Sequence, residues 1–175
     1  MKRVLLLFTV LSIALIANSQ NNAIDELFDK YSGKEGFTTV YISSKMFSMF
    51  KSKDQKDQDL NNLINKLKSI RILSVEDSTL NKNINFYNEL SKKIDFSVYE
   101  ELMVMKEGNN ITKFLVKENG NSIEELLVIT GGTGCNNLIS IKGDLDLKSI
   151  SGLSKAMGIQ QLESLDKIDQ KPVKK

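Results

Sequence analysis

Three consecutive strand-like segments in the second half of the chain constrain its fold most. They span residues 99–106, 111–118 and 122–130, and they are rich in β-branched, aromatic and other apolar residues. Gly108-Asn109-Asn110 separates the first two, and Asn119-Gly120 lies between the second and the third. An Asn-Gly pair favours the type I′ turn of a β-hairpin, because both residues tolerate positive φ. The sequence therefore predicts an antiparallel meander.

Helical and strand-like segments alternate before and after this meander. Apolar residues at helical spacing predict helices around residues 24–31, 60–67, 84–94 (with a cap near Ser78) and 147–157. Runs rich in β-branched residues predict strands at residues 37–43, 70–76 and 138–142. This order predicts an α+β fold: a mainly antiparallel sheet with a meander, and helices packed on one face.

The N-terminus has the pattern of a cleavable secretory signal peptide. Lys2 and Arg3 precede an uncharged apolar run, which ends in the small residues Ala17 and Ser19. We expect cleavage after Ser19, which would make Gln20 the new N-terminus. The apolar run is shorter than the roughly 20 residues that a membrane-spanning helix needs. A permanent membrane span and a buried N-terminal helix are therefore the weaker interpretations.

The predicted organisation is a signal peptide at residues 1–19, a single α+β domain at 20–165 and a flexible basic tail at 166–175. A lipoprotein would carry a Cys at the cleavage site, but the one cysteine of the chain is Cys135. We therefore expect an exported protein, periplasmic or secreted, that is soluble and not lipid-anchored. Cys135 cannot form an intramolecular disulfide, and we interpret it as a small buried apolar residue, with a reactive thiol as the alternative.

Composition excludes several functional classes. Loss of Lys2 and Arg3 from 24 basic residues leaves 22, which equals the 22 acidic residues. A mature charge near zero argues against nucleic acid as a partner, because nucleic acid requires a concentrated positive field. The chain has no histidine, which excludes Ser-His-Asp and Cys-His catalysis and histidine-ligated metal sites. We expect no cofactor and no metal site.

A short segment rich in methionine and phenylalanine is the best candidate for a partner-binding surface. It contains Met46, Phe47, Met49 and Phe50, and nine polar or charged residues follow it. Methionine is flexible and polarisable, and is therefore suited to adaptable binding surfaces. Filling of the core is the alternative interpretation.

Two loop motifs have simpler structural interpretations. Gly131-Gly132-Thr133-Gly134 lacks the Gly-Lys-Ser/Thr ending of a phosphate-binding loop and leads into a strand, so we interpret it as a turn. Asp54, Asp57 and Asp59 lack the glycine and the final glutamate of a calcium-binding loop, so we interpret them as a solvated helix start.

Paired glutamates leave an enzymatic alternative open. Glu100-Glu101 and Glu124-Glu125 are expected on adjacent strands, where alternation places one member of each pair on each face of the sheet. Two facing carboxylates would suit acid/base hydrolysis of a glycan. Exposed charge on a strand is the alternative interpretation.

Asp77-Ser78-Thr79 resembles the O-glycosylation sequon of exported Bacteroidetes proteins, in which an acidic residue precedes the hydroxyl residue. This resemblance makes Ser78 a candidate modification site. Capping of a helix by Ser78 is the competing interpretation.

The whole chain after the signal peptide resembles a Bacteroidetes envelope family, domain of unknown function 4252. The resemblance rests on the signal that ends at Asn18-Ser19-Gln20, on residues 37–47 after a short first helix, and on residues 138–157. It implies a bacterial exported protein with one α+β domain. The family has no assigned activity, so no residue inherits a role from it.

The leading functional hypothesis is a non-catalytic, exported module that binds another envelope protein. One alternative is a carboxylate-dependent hydrolase that acts on an envelope glycan. The other is a carrier with an apolar pocket for a small ligand between the sheet and the helices.

Overall fold

The computed structural model describes residues 23–49 and 58–146. Several predicted features lie outside these residues: the signal peptide with its cleavage site Ser19–Gln20, Phe50, Asp54, Asp57, the helix predicted at 147–157 and the basic tail.

The described part of the chain contains helices and strands in the following order. They are α1 (residues 23–31), β1 (Phe37–Ser43), α2 (Ser44–Ser48), α3 (Gln58–Lys66), β2 (Leu67–Val75), α4 (Ser78–Asn83), α5 (Phe86–Ser91), a 3₁₀ helix (Phe96–Val98), β3 (Glu100–Glu107), β4 (Asn110–Asn119), β5 (Ser122–Gly131) and β6 (Asn137–Leu145).

The strands form one six-stranded antiparallel sheet in the order β1-β2-β6-β5-β4-β3. Strands β3, β4 and β5 are the predicted meander, and the strand predicted at residues 138–142 is β6, which pairs with β5 and with β2. The chain between β2 and β3, which contains α4 and α5, therefore connects the two halves of the sheet. This topology leaves β1 and β3 at the two edges. The α+β class and the mainly antiparallel sheet with its meander are confirmed.

Both hairpin turns within the meander begin with glycine. Asn119 pairs with Ser122, so the turn residues are Gly120 and Asn121 rather than Asn119 and Gly120. Gly120 has φ 66°, whereas no residue other than glycine has a positive φ in the described chain. This fits a type II′ turn, which needs positive φ only at its first central residue, rather than the predicted type I′ turn. Gly108 begins the β3–β4 turn in the same way, with φ 57°.

Helices contribute to the core on both faces of the sheet, not on one face alone. On one face, Leu73, Leu127 and Leu138 pack with residues of α1 and α5. On the other face, Ile70 and Val128 belong to a cluster that includes residues of α2 and α3. The physical reason is that successive residues of the central strands are apolar. Because successive side chains lie on opposite faces of the sheet, both faces must be covered and removed from water. Every residue of β5 from Glu125 to Gly131 is buried.

Two short helices replace the single helix that the spacing of residues 84–94 predicted. Asp77, rather than Ser78, caps α4, because its carboxylate accepts hydrogen bonds from the backbone N–H groups of Thr79 and Leu80, both at 2.8 Å. Ile84 then has extended backbone angles. Asn85 caps α5 by accepting from the N–H group of Asn88 at 2.9 Å. Because Asn85 is a second N-cap within the segment, a separate helix begins after the extended residue Ile84.

Candidate interaction surface

Strand β1 is an open edge of the sheet. Among the described strands it pairs only with β2, and its sequence, Phe-Thr-Thr-Val-Tyr-Ile-Ser, contains no charge and no proline. Its register with β2 is continuous from Phe37 to Ser43, without a bulge. Natural proteins usually protect an edge with charges, proline or bulges, because unpaired N–H and C=O groups invite another strand. None of these protections is found in β1.

The opposite edge, β3, is protected by the usual devices. Its ends carry four charged residues, Glu100, Glu101, Lys106 and Glu107, all of them exposed. A register shift between Glu101 and Met103 interrupts its pairing with β4. Charge and irregularity therefore discourage association at β3, and the two edges of the same sheet differ in their capacity to accept a strand.

Exposed apolar side chains are concentrated at β1 and at the helix that follows it. Of the large apolar residues exposed in the described chain, four lie between residues 40 and 49, and the others are Val98 and Met105. Their exposed fractions are 36% for Val40, 61% for Tyr41, 46% for Met46 and 76% for Met49. We call these four residues, together with the open edge of β1, the β1–α2 surface. Clustered apolar exposure of this kind is typical of interaction sites.

Helix α2 divides the predicted Met/Phe patch into a buried part and an exposed part. Phe47 is only 5% exposed and packs in one core cluster with Leu63 and Ile64 of α3. Met46 and Met49 point to solvent, and Phe50 lies outside the described residues. Phe47 therefore anchors the helix, while Met46 and Met49 are the members of the patch that another molecule can reach.

The side chain of Tyr41 is held beside β1 by Arg71 on the neighbouring strand. The Arg71 guanidinium lies 5.3 Å from the centre of the Tyr41 ring and 5.7 Å from that of Phe28 in α1. One of its nitrogens also donates to a carboxylate oxygen of Asp25, at 2.6 Å. A cation–π contact at an exposed site contributes about 0.5–1 kcal/mol, which favours this orientation of the Tyr41 ring. Tyr41 thus presents an ordered aromatic ring at the edge of the sheet.

The structure separates the two pairs of glutamates. β4 lies between β3 and β5, so Glu100-Glu101 and Glu124-Glu125 are not on adjacent strands. Glu101 lines an open groove of about 580 Å³ beside Tyr87, where it is the only acidic residue among those that line the groove. The Lys113 ammonium donates to Glu101 at 2.7 Å, and this hydrogen bond raises the pKa of Lys113. Glu101 is therefore an ion-paired residue of the surface.

Glu125 lies in the interior and not in a cleft. It is 1% exposed, and its carboxylate accepts hydrogen bonds from the Tyr99 hydroxyl at 3.0 Å and from the Ser140 hydroxyl at 2.5 Å. The Lys142 ammonium lies 3.9 Å away. Burial, followed by the nearby Glu125 charge, raises the pKa of Tyr99. A buried carboxylate with these partners stabilises the fold, because its desolvation is offset by hydrogen bonds.

The glycine-rich segment between β5 and β6 is a structural turn, as the sequence indicated. Asn136 is completely buried behind it. Its amide donates to the carbonyl oxygens of Gly132 and Ile84 at 2.8 and 3.0 Å, and its side-chain oxygen accepts from the N–H group of Phe86 at 2.9 Å. A Cβ atom on Gly132 would lie 2.6 Å from the carbonyl oxygen of Asn109. Glycine is therefore required by close packing and not by phosphate binding.

Cys135 and Ser78 occupy different environments. Cys135 is partly buried, and burial followed by the charge of Glu76 raises the pKa of its thiol. Because the thiolate is the reactive form, this lowers its reactivity at neutral pH. Ser78 is exposed at the first turn of α4, and its hydroxyl makes no hydrogen bond to the described residues.

None of the helices within residues 23–49 and 58–146 is long and apolar enough to cross a membrane. The same part of the chain has no group of three or more Cys, Asp or Glu residues arranged to hold a metal ion.

Comparison with known proteins gives one match. The family described as "Domain of unknown function (DUF4252)" matches residues 31–153, a stretch that includes all six strands. No curated protein and no solved structure matches the chain. The β1–α2 surface lies inside the matched region.

Proposed function

The chain belongs to the DUF4252 family, and we propose that it is an exported, non-catalytic module of a Bacteroidetes cell envelope that binds a polypeptide strand at β1. The observation that carries this proposal is the open, uncharged edge of β1 beside the exposed Tyr41, Met46 and Met49. Such an edge offers a ladder of backbone hydrogen bonds to an extended segment, a mode known as β-augmentation.

The backbone and the side chains of this surface would have different roles. Backbone groups of an edge strand bind any extended segment, so they supply affinity without much specificity. Val40 and Tyr41 lie on opposite faces of the sheet, because side chains alternate along a strand. Val40 lies on the face that carries α2, and Tyr41 lies beside α1. A bound strand would therefore be contacted from both faces, and the flexible methionines would adapt to its side chains.

Export is supported by the N-terminal sequence. Lys2 and Arg3, the apolar run after them and the small residues up to Ser19 occur in the order that a signal peptidase recognises. In the envelope, Ser78 remains a proposed O-glycosylation site. It is exposed, and Asp77 already caps α4, so the Ser78 hydroxyl is not needed for that purpose.

Catalysis and ligand transport have less support from the described residues. A glycan hydrolase needs two carboxylates that face one another across the substrate, whereas Glu101 is ion-paired and Glu125 is buried. A carrier needs an enclosed apolar cavity. The hollow beside β1 has a volume of about 140 Å³ and includes Asp29 and Arg71 in its lining.

Site-specific photo-crosslinking tests the proposal. A benzophenone amino acid is placed at Tyr41 or Met49 of the full chain expressed in its envelope, with Met105 on the other edge as the matched exposed position. We expect crosslinks to a polypeptide from Tyr41 and Met49, and their loss when Val40→Lys places a charge on β1. Equal crosslinking from Met105, or crosslinks that persist in Val40→Lys, would contradict the proposal.

A further inference from the structure

We infer that the strand that β1 binds belongs to a second copy of this chain. This inference rests on the proposed function and names the partner. The two β1 strands would pair in an antiparallel arrangement across a twofold axis at Val40. The two six-stranded sheets would then join into one continuous sheet. A twofold interface requires a surface that is complementary to itself, and β1 meets this requirement in three ways.

The first is the pairing of side chains in this register. Phe37 lies opposite Ser43, Thr38 opposite Ile42, and Thr39 opposite Tyr41, while each Val40 faces its own copy. Pairs between an aromatic or β-branched residue and threonine are favourable across antiparallel strands. No pair brings two charges together, because β1 carries none.

The second is the charge at each end of the strand. Glu35 precedes β1 by two residues and Lys45 follows it by two, and both are exposed. Within the described part of the chain, neither forms an ion pair. The strand register does not extend to these residues, because Glu35 lies in a turn and Lys45 lies in α2. The antiparallel arrangement nevertheless brings the end of β1 that follows Glu35 in one copy beside the end that precedes Lys45 in the other, and the twofold axis repeats this at the other end. An acidic residue of one copy and a basic residue of the other therefore lie at the same end of the interface when the two strands run in opposite directions.

The third is the position of the exposed methionines. Met46 and Met49 lie directly after β1, on the face of the sheet that also carries Val40. In the twofold arrangement, α2 of one copy lies near the start of β1 of the other. Each pair of methionines would therefore cover part of the neighbouring strand and remove apolar surface from water.

The other edge does not have these properties. The symmetric antiparallel pairing of β3 with a second β3 would bring Glu100 of one copy opposite Glu107 of the other and Glu101 opposite Lys106, at both ends of the strand, so repulsions and attractions offset one another. Like charges directly opposite one another on antiparallel strands are destabilising. β3 therefore gains no net charge complementarity from pairing with itself, and its register shift interrupts the edge, whereas β1 is uncharged and regular. Because a ladder of seven residues is short for a permanent interface, we expect a reversible, concentration-dependent dimer.

The mass of the full, processed chain in solution, measured by sedimentation over a range of concentrations, tests this inference. We expect a monomer–dimer equilibrium. Val40→Lys, which places two lysines at the axis, should weaken it by at least about tenfold, whereas Met105→Lys on β3 should leave it unchanged. Circular dichroism establishes that each variant remains folded.

A charge reversal tests the antiparallel orientation of the two strands. Glu35→Lys alone and Lys45→Glu alone should each weaken the dimer by about tenfold, because each replaces two attractions with two repulsions. The double variant Glu35→Lys/Lys45→Glu should restore the association. A double variant as weak as the single variants would overturn the proposed orientation.

The outcomes distinguish this inference from the proposed function. A chain that stays monomeric at all concentrations, while Tyr41 and Met49 crosslink to a different protein, would overturn the inference and leave the proposed function intact. A monomer without crosslinks from Tyr41 or Met49 would overturn both. A dimer that Met105→Lys dissociates, and Val40→Lys does not, would place the interface at β3 and would also overturn the inference.

Discussion

The Tyr99 hydroxyl donates a hydrogen bond to the Glu125 carboxylate at 3.0 Å, and this contact joins the segment before β3 to the middle of the sheet. Glu125 is completely enclosed, so water cannot replace the donor if it is lost. The side chain that the sequence presented as a candidate catalytic carboxylate is therefore a part of the core that depends on its partners.

Tyr99→Phe should lower the free energy of unfolding by about 1–3 kcal/mol, because it leaves a buried, charged acceptor with one donor fewer. Urea denaturation at neutral pH measures this change. Tyr41→Phe is the matched control, since the Tyr41 side chain is exposed. We expect no more than about 0.5 kcal/mol for the control. Equal effects of the two substitutions would contradict the structural role of the Tyr99–Glu125 contact.

The same contact predicts a dependence of stability on alkaline pH. The pKa of Tyr99 is raised above its ordinary value of 10.0 by burial and by Glu125. The folded state therefore holds the phenolic proton more tightly than the unfolded state does. The contribution of this raised pKa to the free energy of unfolding is fully present below pH 10 and is lost as the pH rises above it.

Urea denaturation of the native protein and of Tyr99→Phe between pH 8 and pH 11 tests this dependence. Other tyrosines and lysines titrate in the same range, so the informative quantity is the difference between the two proteins. We expect the stability advantage of the native protein to shrink above about pH 10. An advantage that stays constant up to pH 11 would show that Tyr99 has no raised pKa in the folded state.

Asn136 is predicted to be among the most sensitive positions in the chain. The side-chain oxygen of Asn81 also lies 3.0 Å from the Asn136 amide nitrogen, so the two N–H groups of this amide are shared among Asn81, Ile84 and Gly132. Asn136→Ala would leave several buried backbone groups without partners, and each costs about 1–3 kcal/mol. We expect the loss of most of the stability of the domain, which is roughly 5–15 kcal/mol for typical proteins.

Thermal unfolding checks the prediction for Asn136, with Asn88→Ala as the control on the exposed surface of α5. The backbone of Asn88 donates to the cap of α5, but none of the hydrogen bonds of the described chain uses its side chain. A similar, small change in melting temperature for both variants would rule out the central role of Asn136 in the packing of α4 and α5 on the sheet.

The meander was predictable from the sequence because its determinants are local. Strand-like runs separated by Gly108 and Gly120 specify hairpins, whose strands are neighbours in the chain. The type of turn was not predictable from the Asn-Gly pair, since the register across β4 and β5 moved the turn by one residue.

The open edge was not predictable, because it depends on pairing between distant segments. Residues 37–43 were identified as a strand, but their place in the sheet follows from the pairing of β2 with β6. Only this long-range contact leaves β1 outermost. The burial of Glu125 has the same origin, because it depends on Tyr99 and on Ser140 of β6. The absence of charge from residues 37–43 did not point to the edge, because it is more typical of a strand inside a sheet.

We predict different effects for substitutions of the buried and of the exposed residues in the Met/Phe patch. Phe47→Ala removes a buried aromatic side chain from the cluster that joins α2 and α3 to the sheet, and should cost about 3–5 kcal/mol of stability. Met49→Ala removes an exposed side chain and should change stability by less than about 0.5 kcal/mol. Urea denaturation of the two variants, combined with sedimentation, separates these effects. We expect Met49→Ala to weaken association in a folded protein and Phe47→Ala to destabilise the fold. A Met49→Ala variant that loses stability as Phe47→Ala does would mean that Met49 belongs to the core and not to the β1–α2 surface.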